Sequence, residues 1–598
     1  MHPVLDLDAE LAAGREEGLR EVEAEAAGPA SAPALDLAAI ALRKINPKTL
    51  ALLRRAIREM DTGPAGAAKA ARLCLDALTL NPDLPIANQA MALALERLGR
   101  LSKALEFYER AWRLEPNNPD IYSNLAMAAW KLNMLDGAEK FLRLQLQLKP
   151  NCTSGVINLA GVLRDKGRYE DSVELLRAAI YAAPETTELW NALGTTLMDG
   201  GQPDQSLTFF TEALRLKPGY ARAHHNMAYA LELNGDAHAA VPHFEAALDN
   251  PATEQDRVVS SHGYSHTLLA AGQIAKGWEW YEWRRNMHYR HATNFLIPGH
   301  SWNGTDKGEL AGKTLVVLGE QGLGDEVLFA NILPDVIEAL GPDGALRIAC
   351  EKRLIPLFQR SFPSARIARH YTIEREGRQH RSAPDLVREG DHDHWAPIGS
   401  LMRAFRPDVQ SFPDRAAFLT ADEARVEAFR QQLAAMGPGL KIGLLWKSLK
   451  MDATRSKHFA AFDLWAPVLK TSGVTFVNLQ YGETADEIAA AEKRFGVRIH
   501  TPEGLDLKND LDGVAAIGKA CDLVLGPMNA STNLAAAVGG NVWFIRPTLV
   551  AWAMLGQREI PWYPRTRTFA GQFYRDWTGA MTAVTEALQD YAAKRAAA

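Results

Sequence analysis

Cysteine is scarce in this sequence, and long apolar runs are missing. The four cysteines lie far apart among 598 residues and form no CxxC pair, which argues against disulfide bonds and structural zinc. No stretch of about 20 apolar residues is available to span a membrane. The first residues are acidic and lack the basic start and apolar core of a signal peptide. We therefore expect a cytoplasmic protein with free thiols and no membrane span.

Charge of one sign is not in excess either. The 66 basic and 72 acidic residues leave a formal net charge of −6, so no nucleic acid partner is expected. The alternating Asp and His of "DHDHW" (391–395) are typical of a solvated polar loop, so no metal is predicted. The chain exceeds the usual domain size of ~100–200 residues, and several domains are expected.

A period of 34 residues organises the first half of the chain. Small residues recur in register in two columns, and the second column is followed four residues later by a large residue, which suits closely paired helices. Glycines such as Gly99 and Gly167 mark the turn within a pair. Prolines recur in steps of 34, 34, 34, 34 and 33 residues, at Pro82, Pro116, Pro150, Pro184, Pro218 and Pro251. The pattern resembles the tetratricopeptide repeat. It predicts an all-α superhelix over residues 35–290, preceded by an acidic segment and linker at 1–34.

One column of the repeats carries asparagine. Asn124, Asn158 and Asn226 share this column, and Ala192 interrupts it. We expect the column to project from the first helix of each repeat into the groove, where a carboxamide can pair with a peptide backbone. The alternative is that these side chains are solvated or cap neighbouring turns. The series is similar to the asparagine ladder of the O-linked N-acetylglucosamine transferase superhelix, which implies peptide binding.

From about residue 313 the pattern changes to short apolar strands that alternate with helices. Such alternation is typical of doubly wound parallel sheets. We predict a connection at 291–312, an N-terminal lobe at 313–425 and a C-terminal lobe with a final helix at 426–598. Predicted strands are "KTLVVLG", "ALRIAC", "KIGLLW", "GVTFVNLQ", "DLVLG" and "NVWFI". The predicted fold class is α plus α/β, with two Rossmann-like lobes that face a cleft.

Several motifs of the second half resemble a known enzyme family. "GEQGLGDEVLFANILP", "GWEWYEWR" and "LQYG" are similar to heptosyltransferase-like glycosyltransferases of family 9, which have the GT-B fold. Together with the repeats, they resemble the FlmG-type flagellin glycosyltransferases of alphaproteobacteria. The resemblance implies transfer of a nonulosonic acid, such as pseudaminic acid, from a CMP donor to Ser or Thr of flagellin. It implies no metal or cofactor besides this sugar nucleotide.

The loop "GEQGLGDE" (319–326) is the candidate acceptor loop. It is neither a Walker loop nor a usually placed GxGxxG. The resemblance maps the acceptor-activating carboxylate onto Asp325, beside Glu320, Gln321, Gly322 and Gly324. A carboxylate at a helix N-terminus should have a lowered pKa. The alternative is that Asp325 only caps the helix.

The candidate donor residues lie in the second lobe. Lys447, Arg455 and Lys457 could stabilise the phosphate of a leaving nucleotide, although a solvated basic face explains them equally well. The helix start "NASTN" offers Asn529, Ser531, Thr532 and Asn533 together with free backbone amides, as an anion site.

Gln480 and a departure from the family pattern leave alternatives open in this lobe. Gln480 could contact a base or ribose, or serve a turn. Family 9 relatives more often carry Asp and His where this sequence has Met528 and Asn533, and this departure puts a heptose donor in doubt. Besides a flagellin glycosyltransferase, two other functions stay open. One is a heptosyltransferase-like enzyme that acts on a saccharide, and the other is a non-catalytic repeat scaffold.

Overall fold

The computed structural model describes residues 45–60, 63–375, 378–448, 458–572 and 574–596. Their contacts divide the chain into two compact units, of which the first ends at Pro184 and the second begins at Glu185. The domain boundaries predicted after residues 290, 312 and 425 fall inside the second unit and stay predictions.

The described part of the first unit consists of paired helices. In each pair the second helix ends two residues before the repeat proline, because the residue before a proline is disfavoured in the helical conformation. The helices are α1 (Pro47–Met60), α2 (Pro64–Leu80), α3 (Pro85–Arg97), α4 (Leu101–Leu114), α5 (Pro119–Lys131), α6 (Leu135–Leu148), α7 (Thr153–Asp165) and α8 (Tyr169–Ala182).

The turn inside each pair needs a left-handed residue. Gly99 and Gly167 supply it with φ of 74° and 73°. Between them in the same register, Asn133 takes φ of 58°, since asparagine tolerates this region better than most residues. The repeat register thus continues where the glycine pattern is interrupted.

The second unit begins with further helices of the same period: α9 (Thr187–Asp199), α10 (Pro203–Leu216), α11 (Ala221–Leu233), α12 (Ala237–Asp249), α13 (Glu254–Ala270) and α14 (Ile274–Tyr281). Gly194 occupies the small-residue column of α9. A Cβ at this position would lie 2.6 Å from the ring of Phe210, the large residue of the same repeat. The small and large columns therefore meet as the sequence predicts.

Two parallel sheets follow, as predicted. In the first the strand order is β4–β3–β2–β7, and beside it lies a small mixed sheet of order β1–β6–β5. The strands are β1 (Asn294–Phe295), β2 (Thr314–Leu318), β3 (Ala345–Cys350), β4 (Arg366–Arg369), β5 (Tyr371–Arg375), β6 (Arg378–Ser382) and β7 (His394–Pro397).

The second parallel sheet has six strands in the order β10–β9–β8–β11–β12–β13. They are β8 (Leu440–Leu444), β9 (Val474–Asn478), β10 (Ile499–His500), β11 (Leu523–Gly526), β12 (Val542–Ile545) and β13 (Thr566–Phe569). Both faces of this sheet are buried, since Val524 packs into one apolar cluster and its neighbours Leu523 and Leu525 into another.

The described helices of this region lie between the strands, between the two sheets and after the last strand. They are α15 (Leu323–Phe329), α16 (Leu333–Leu340), α17 (Ile355–Ser361), α18 (Met402–Phe405), α19 (Glu423–Ala435), α20 (Ala466–Leu469), α21 (Ala485–Phe495), α22 (Leu511–Ala520), α23 (Ala530–Ala537) and the final α24 (Trp577–Ala596). One apolar cluster contains Trp278 of α14, Val317 of the first sheet and Phe544 of the second. The last helical pair is therefore part of the same core as the sheets.

Two local expectations need correction. The sequence pattern predicts one helix over "DEVLFANILPDVIEAL". The structure has α15 and α16 here, separated by a 3₁₀ turn at Ala330–Ile332, because Pro334 is favoured in the first turn of a new helix. The segment "DHDHW" is a solvated loop only in part, since Asp393 is exposed but the rest is partly or fully buried. His394 and Trp395 belong to β7, and the Asp393 side chain accepts a hydrogen bond of 2.8 Å from the backbone amide of Thr314.

Candidate functional site

The loop at the carboxyl end of β2 has a constrained backbone. It joins Leu318, the last residue of the strand, to Leu323, the first residue of α15. Gln321 has φ of 56°, a left-handed conformation that a non-glycine residue seldom adopts. Such a loop keeps its shape only because its neighbours hold it.

A buried ion pair supplies much of that support. Arg284, from the segment after α14, donates to both carboxylate oxygens of Glu320, at 2.9 and 2.7 Å, and both side chains are almost fully buried. The backbone amide of Gly399 also donates to Glu320. Glu320 is therefore occupied by protein contacts, and its role in the acceptor loop is to position the backbone.

A second buried carboxylate anchors the far end of the loop. Glu326 accepts a hydrogen bond of 2.8 Å from the Glu351 amide, and its other oxygen lies 2.9 Å from Nε2 of His370. Arg381 donates to the carbonyl oxygen of Gly319 at 2.5 Å. The loop is thus held on both sides of Asp325, whose carboxylate has no ion pair within the described residues.

Asp325 both caps the helix and carries a raised pKa. Its Oδ2 accepts a hydrogen bond of 3.1 Å from the amide of Gly322, the residue that precedes α15, so capping is confirmed. Burial and, to a smaller extent, the charges of Glu320 and Glu326 together raise the pKa of Asp325 to about 6, against the lowering effect of the Gly322 amide. The expectation of a lowered pKa from the helix dipole is wrong, because desolvation outweighs the dipole of this seven-residue helix.

Side chains of the last helical pairs reach this loop. Gln321 Nε2 donates a hydrogen bond of 2.8 Å to the hydroxyl of Tyr281 in α14. The Tyr281 ring centroid lies 6.0 Å from that of His266 in α13, and the His266 ring lies 4.4 Å from that of His262. The Trp552 ring stacks on His266 at 5.9 Å. These four side chains, His262, His266, Tyr281 and Trp552, form a largely buried His–aromatic cluster that leads from the repeats to the loop.

The two candidate half-sites meet directly. Asn533 of α23 donates a hydrogen bond of 3.1 Å from Nδ2 to the carbonyl oxygen of Gly324. A Cβ at Gly324 would lie 3.5 Å from the Ala530 amide nitrogen, an ordinary van der Waals distance, so the loop and the start of α23 are in contact here. The acceptor loop predicted on the first sheet and the helix start predicted on the second therefore lie side by side.

The helix start differs from the predicted anion site. The Asn529 side chain caps α23, since its Oδ1 accepts from the amides of Ser531 and Thr532 at 3.0 and 3.1 Å. The amides of these two residues are therefore not free for a ligand, and this part of the expectation is wrong. Nδ2 of Asn529 and Oδ1 of Asn533 are both buried and without a hydrogen-bond partner.

The other predicted donor residues have protein partners or cannot be placed. Gln480 is almost fully buried, and its Oε1 accepts from the amides of Trp446 and Lys447, both at 3.0 Å. This geometry favours the turn role over contact with a base or ribose. The ammonium group of Lys447 pairs with Glu487 at 2.6 Å. Arg455 and Lys457 lie outside the described residues.

Arg546, at the carboxyl end of the second parallel sheet, is a candidate residue that sequence reasoning missed. It directly follows β12, and its Nη1 lies 3.2 Å from Sδ of Met528, which follows β11. Its Nε is buried without a hydrogen-bond partner. Burial lowers the pKa of Arg546 to about 10, with no contribution from a neighbouring carboxylate. The available signal was a lone arginine at the carboxyl end of an apolar strand, where ligands of parallel sheets bind.

The asparagine column is buried within the helices. Asn226 donates to Asn191 Oδ1 at 3.0 Å, and Asn124 lies 3.5 Å from Gln89 Oε1. Asn158 is 2% exposed, with its Oδ1 lacking a partner. Asn124 and Asn226 therefore link neighbouring repeats, and peptide binding by this column stays a prediction.

The described residues contain neither a cluster of metal ligands nor a helix that could span a membrane. No group of three or more His, Cys, Asp or Glu side chains in the described ranges is placed to hold a metal ion. Within the same ranges, the helices are too short or too polar to cross a membrane.

Comparison with known proteins agrees with the repeat period. Tetratricopeptide-repeat models match residues 95–154, 157–221 and 191–255. The chain therefore contains tetratricopeptide repeats, followed by a region with parallel sheets.

One curated relative is protein FlbA of Caulobacter vibrioides (strain ATCC 19089 / CIP 103742 / CB 15). It is 48% identical over 385 residues, which is 64% of this chain and 64% of that protein. The match thus spans slightly less than two thirds of the relative.

Solved structures similar to part of the chain include YrrB, a TPR protein with an unusual peptide-binding site. It is 20% identical, covers 32% of this chain and 98% of its own, and has a TM-score of 0.24. MamA 41-end from Desulfovibrio magneticus RS-1 is 21% identical, covers 28% and 93%, and has a TM-score of 0.24.

Proposed function

We propose that this protein is a metal-independent glycosyltransferase of the GT-B fold. The two parallel sheets would be its two lobes, with the acceptor loop on the first and the donor cleft on the second. The acceptor is a Ser or Thr hydroxyl of flagellin, and the donor is a CMP-linked nonulosonic acid such as pseudaminic acid. The contact between Gly324 and Asn533 carries the proposal, because it brings the candidate base beside the second parallel sheet.

Asp325 is suited to act as the general base. In the transfer step the acceptor oxygen attacks the anomeric carbon while the bond from that carbon to the phosphate oxygen breaks. The bonding electrons leave with CMP, and the proton of the hydroxyl passes to the Asp325 carboxylate. A pKa of about 6 keeps the group ionised near neutral pH and makes it a stronger base than an ordinary aspartate.

The surrounding charges keep this base available. The carboxylates on either side, Glu320 and Glu326, are each committed to buried partners. Asp325 accepts one backbone hydrogen bond through Oδ2, and Oδ1 can face a hydroxyl. A base held by its neighbours loses little freedom when the acceptor arrives.

A protein acceptor is supported by the position of the repeats. The His–aromatic cluster connects the last helical pairs to Gln321, four residues from the candidate base. Arrays of tetratricopeptide repeats hold extended partners in their concave groove, and this cluster ties the last repeats to the acceptor loop. The similarity to protein FlbA suggests a flagellar role and supports flagellin as that partner.

The test is a transfer assay with the purified full-length protein. Unmodified flagellin and a CMP-nonulosonate are supplied, and the intact mass of flagellin is measured. The proposal predicts added mass equal to one or more sugar residues. Transfer to a saccharide with flagellin unchanged would favour the heptosyltransferase-like alternative, and no transfer to either acceptor would favour a non-catalytic scaffold.

A further inference from the structure

We infer that Arg546 is the anion-recognition residue of the donor cleft and takes a carboxylate or phosphate of the sugar nucleotide. The inference deepens the proposed function and rests on it. Arg546 stands at the carboxyl end of β12, and Met528, which it contacts, stands at the carboxyl end of the neighbouring strand β11. This edge of a parallel sheet is where open α/β folds place their ligands.

A chain of contacts connects Arg546 to the candidate base. The guanidinium lies 3.2 Å from Met528, and Met528 directly precedes Asn529, the cap of α23. One turn further along that helix, Asn533 donates to the carbonyl of Gly324, the residue before Asp325. A bound donor that touches Arg546 would therefore lie in the same cleft as the carboxylate that accepts the proton.

The hydrogen bonding of Arg546 differs from that of other buried arginines in this unit. Arg284 is paired with Glu320 and Glu282, and Arg406 with Asn331 and Asp335. Arg381 donates to the Gly319 carbonyl and to the Thr372 hydroxyl. Those three guanidinium groups hold protein segments together.

Arg546 instead contacts a thioether sulfur, a weak acceptor, and keeps Nε without a partner. A guanidinium that is largely removed from water and lacks a counter-charge costs folding free energy unless an anion binds to it. Its planar fork matches the two oxygens of a carboxylate or phosphate. Nδ2 of Asn529, buried and unpartnered on the residue after Met528, supplies a second donor for the same anion.

The anion has two sources within one donor, the nucleotide phosphate and the sugar carboxylate. Calorimetric titration of the full-length protein with CMP, CMP-nonulosonate and inorganic pyrophosphate separates them. Arg546→Gln removes the charge while keeping polar bulk. Arg567→Gln is the matched control, because Arg567 lies on the neighbouring strand β13 with its guanidinium 4.8 Å over the Trp543 ring.

We expect Arg546→Gln to weaken anion binding by roughly ten- to a hundredfold, as for one lost charged hydrogen bond. An equal loss for CMP and for the whole donor identifies the phosphate. A loss confined to the whole donor identifies the sugar carboxylate. The Arg567→Gln variant should bind as the wild-type protein does.

Wild-type affinity for all probes in Arg546→Gln would overturn the inference, as would a wild-type protein that binds none of them. Should Arg546→Gln fail to fold, Arg546→Lys replaces it, since a lysine keeps the positive charge but lacks the planar group that binds two oxygens at once. Binding should then weaken about tenfold, and unchanged binding again overturns the inference. Arg546-dependent binding without transfer to flagellin would leave the inference standing and reject the proposed function.

Discussion

Asn533 donates a hydrogen bond from its side-chain amide to the carbonyl oxygen of Gly324, across 209 residues of sequence. This contact joins the helix start after β11 to the loop after β2, each at the carboxyl end of a strand in a parallel sheet. The candidate base and the candidate donor cleft are therefore neighbours because of the fold, although no local pattern links them.

The raised pKa of Asp325 predicts a pH-dependent cost to stability. The folded protein holds this proton up to about pH 6, whereas the unfolded chain releases it near the ordinary pKa of ~3.9. Since the folded state binds more protons between these values, stability should fall as pH rises through this window. Asp325→Asn removes the titration. The stability of this variant relative to wild type should increase from pH 4 to pH 7, as measured by denaturant unfolding. A difference that is independent of pH would contradict the raised pKa.

The ion pair of Arg284 and Glu320 should dominate the stability of the acceptor loop. Arg284→Gln leaves a buried carboxylate without its counter-charge, which typically costs about 3–5 kcal/mol. The control is Arg494→Gln, because Arg494 pairs with Asp463 at a site where both side chains are more than half exposed. That change should cost no more than about 1 kcal/mol. Urea unfolding measures both, and equal losses would mean that the buried pair does not support the loop.

His266 should make the second unit sensitive to acid. Burial lowers the pKa of His266 to about 4, so the folded state keeps the imidazole neutral while the unfolded chain protonates it near pH 6.5. Stability is therefore complete above pH 6.5 and declines as pH falls towards 4. His266→Phe preserves the ring that stacks on Trp552 and removes the proton. The thermal unfolding temperature of this variant should fall less than that of wild type between pH 7 and pH 4.5. Equal decreases in the two proteins would contradict the lowered pKa of His266.

Substitution by alanine should change stability in opposite directions at two glycines of the first unit. A Cβ at Gly161 would collide with the ring of Trp130, and overpacking of this kind costs roughly 1–3 kcal/mol. At Gly137, inside α6, the nearest atom to such a Cβ is 4.0 Å away. Gly137→Ala should therefore stabilise the protein by about 0.4–1 kcal/mol. Equilibrium unfolding of both variants checks the signs, and two changes in the same direction would contradict the packing described here.

The repeats could be predicted because their determinants are local. A proline every 34 residues and small residues facing large ones fix helix ends and close packing within one unit of sequence. The strands after Lys313 were predictable as short apolar runs between turns. Strand β7 was missed because its His394 and the neighbouring aspartates make the segment look polar, although its Trp395, Ala396 and Pro397 are buried.

The site was less predictable because long-range contacts decide its chemistry. The residues of the acceptor loop were found from the sequence, but the ion-pair partner of Glu320 is Arg284, 36 residues away. The direction of the Asp325 pKa shift depends on burial by several elements, which the helix dipole argument leaves out. Arg546 has no motif around it, and only the placement of β11 beside β12 brings it to Met528.

The rate of flagellin modification by Asp325→Asn tests the central claim most directly. The asparagine can still accept the hydrogen bond from the Gly322 amide, so the folded structure of the loop and the binding of donor and acceptor should be kept. It cannot accept the proton of the attacking hydroxyl. Intact-mass measurement of flagellin should therefore show transfer slowed by roughly 10²–10⁴-fold relative to wild type, the usual contribution of a general base. Transfer at near the wild-type rate would contradict the account and leave Asp325 as a helix cap alone.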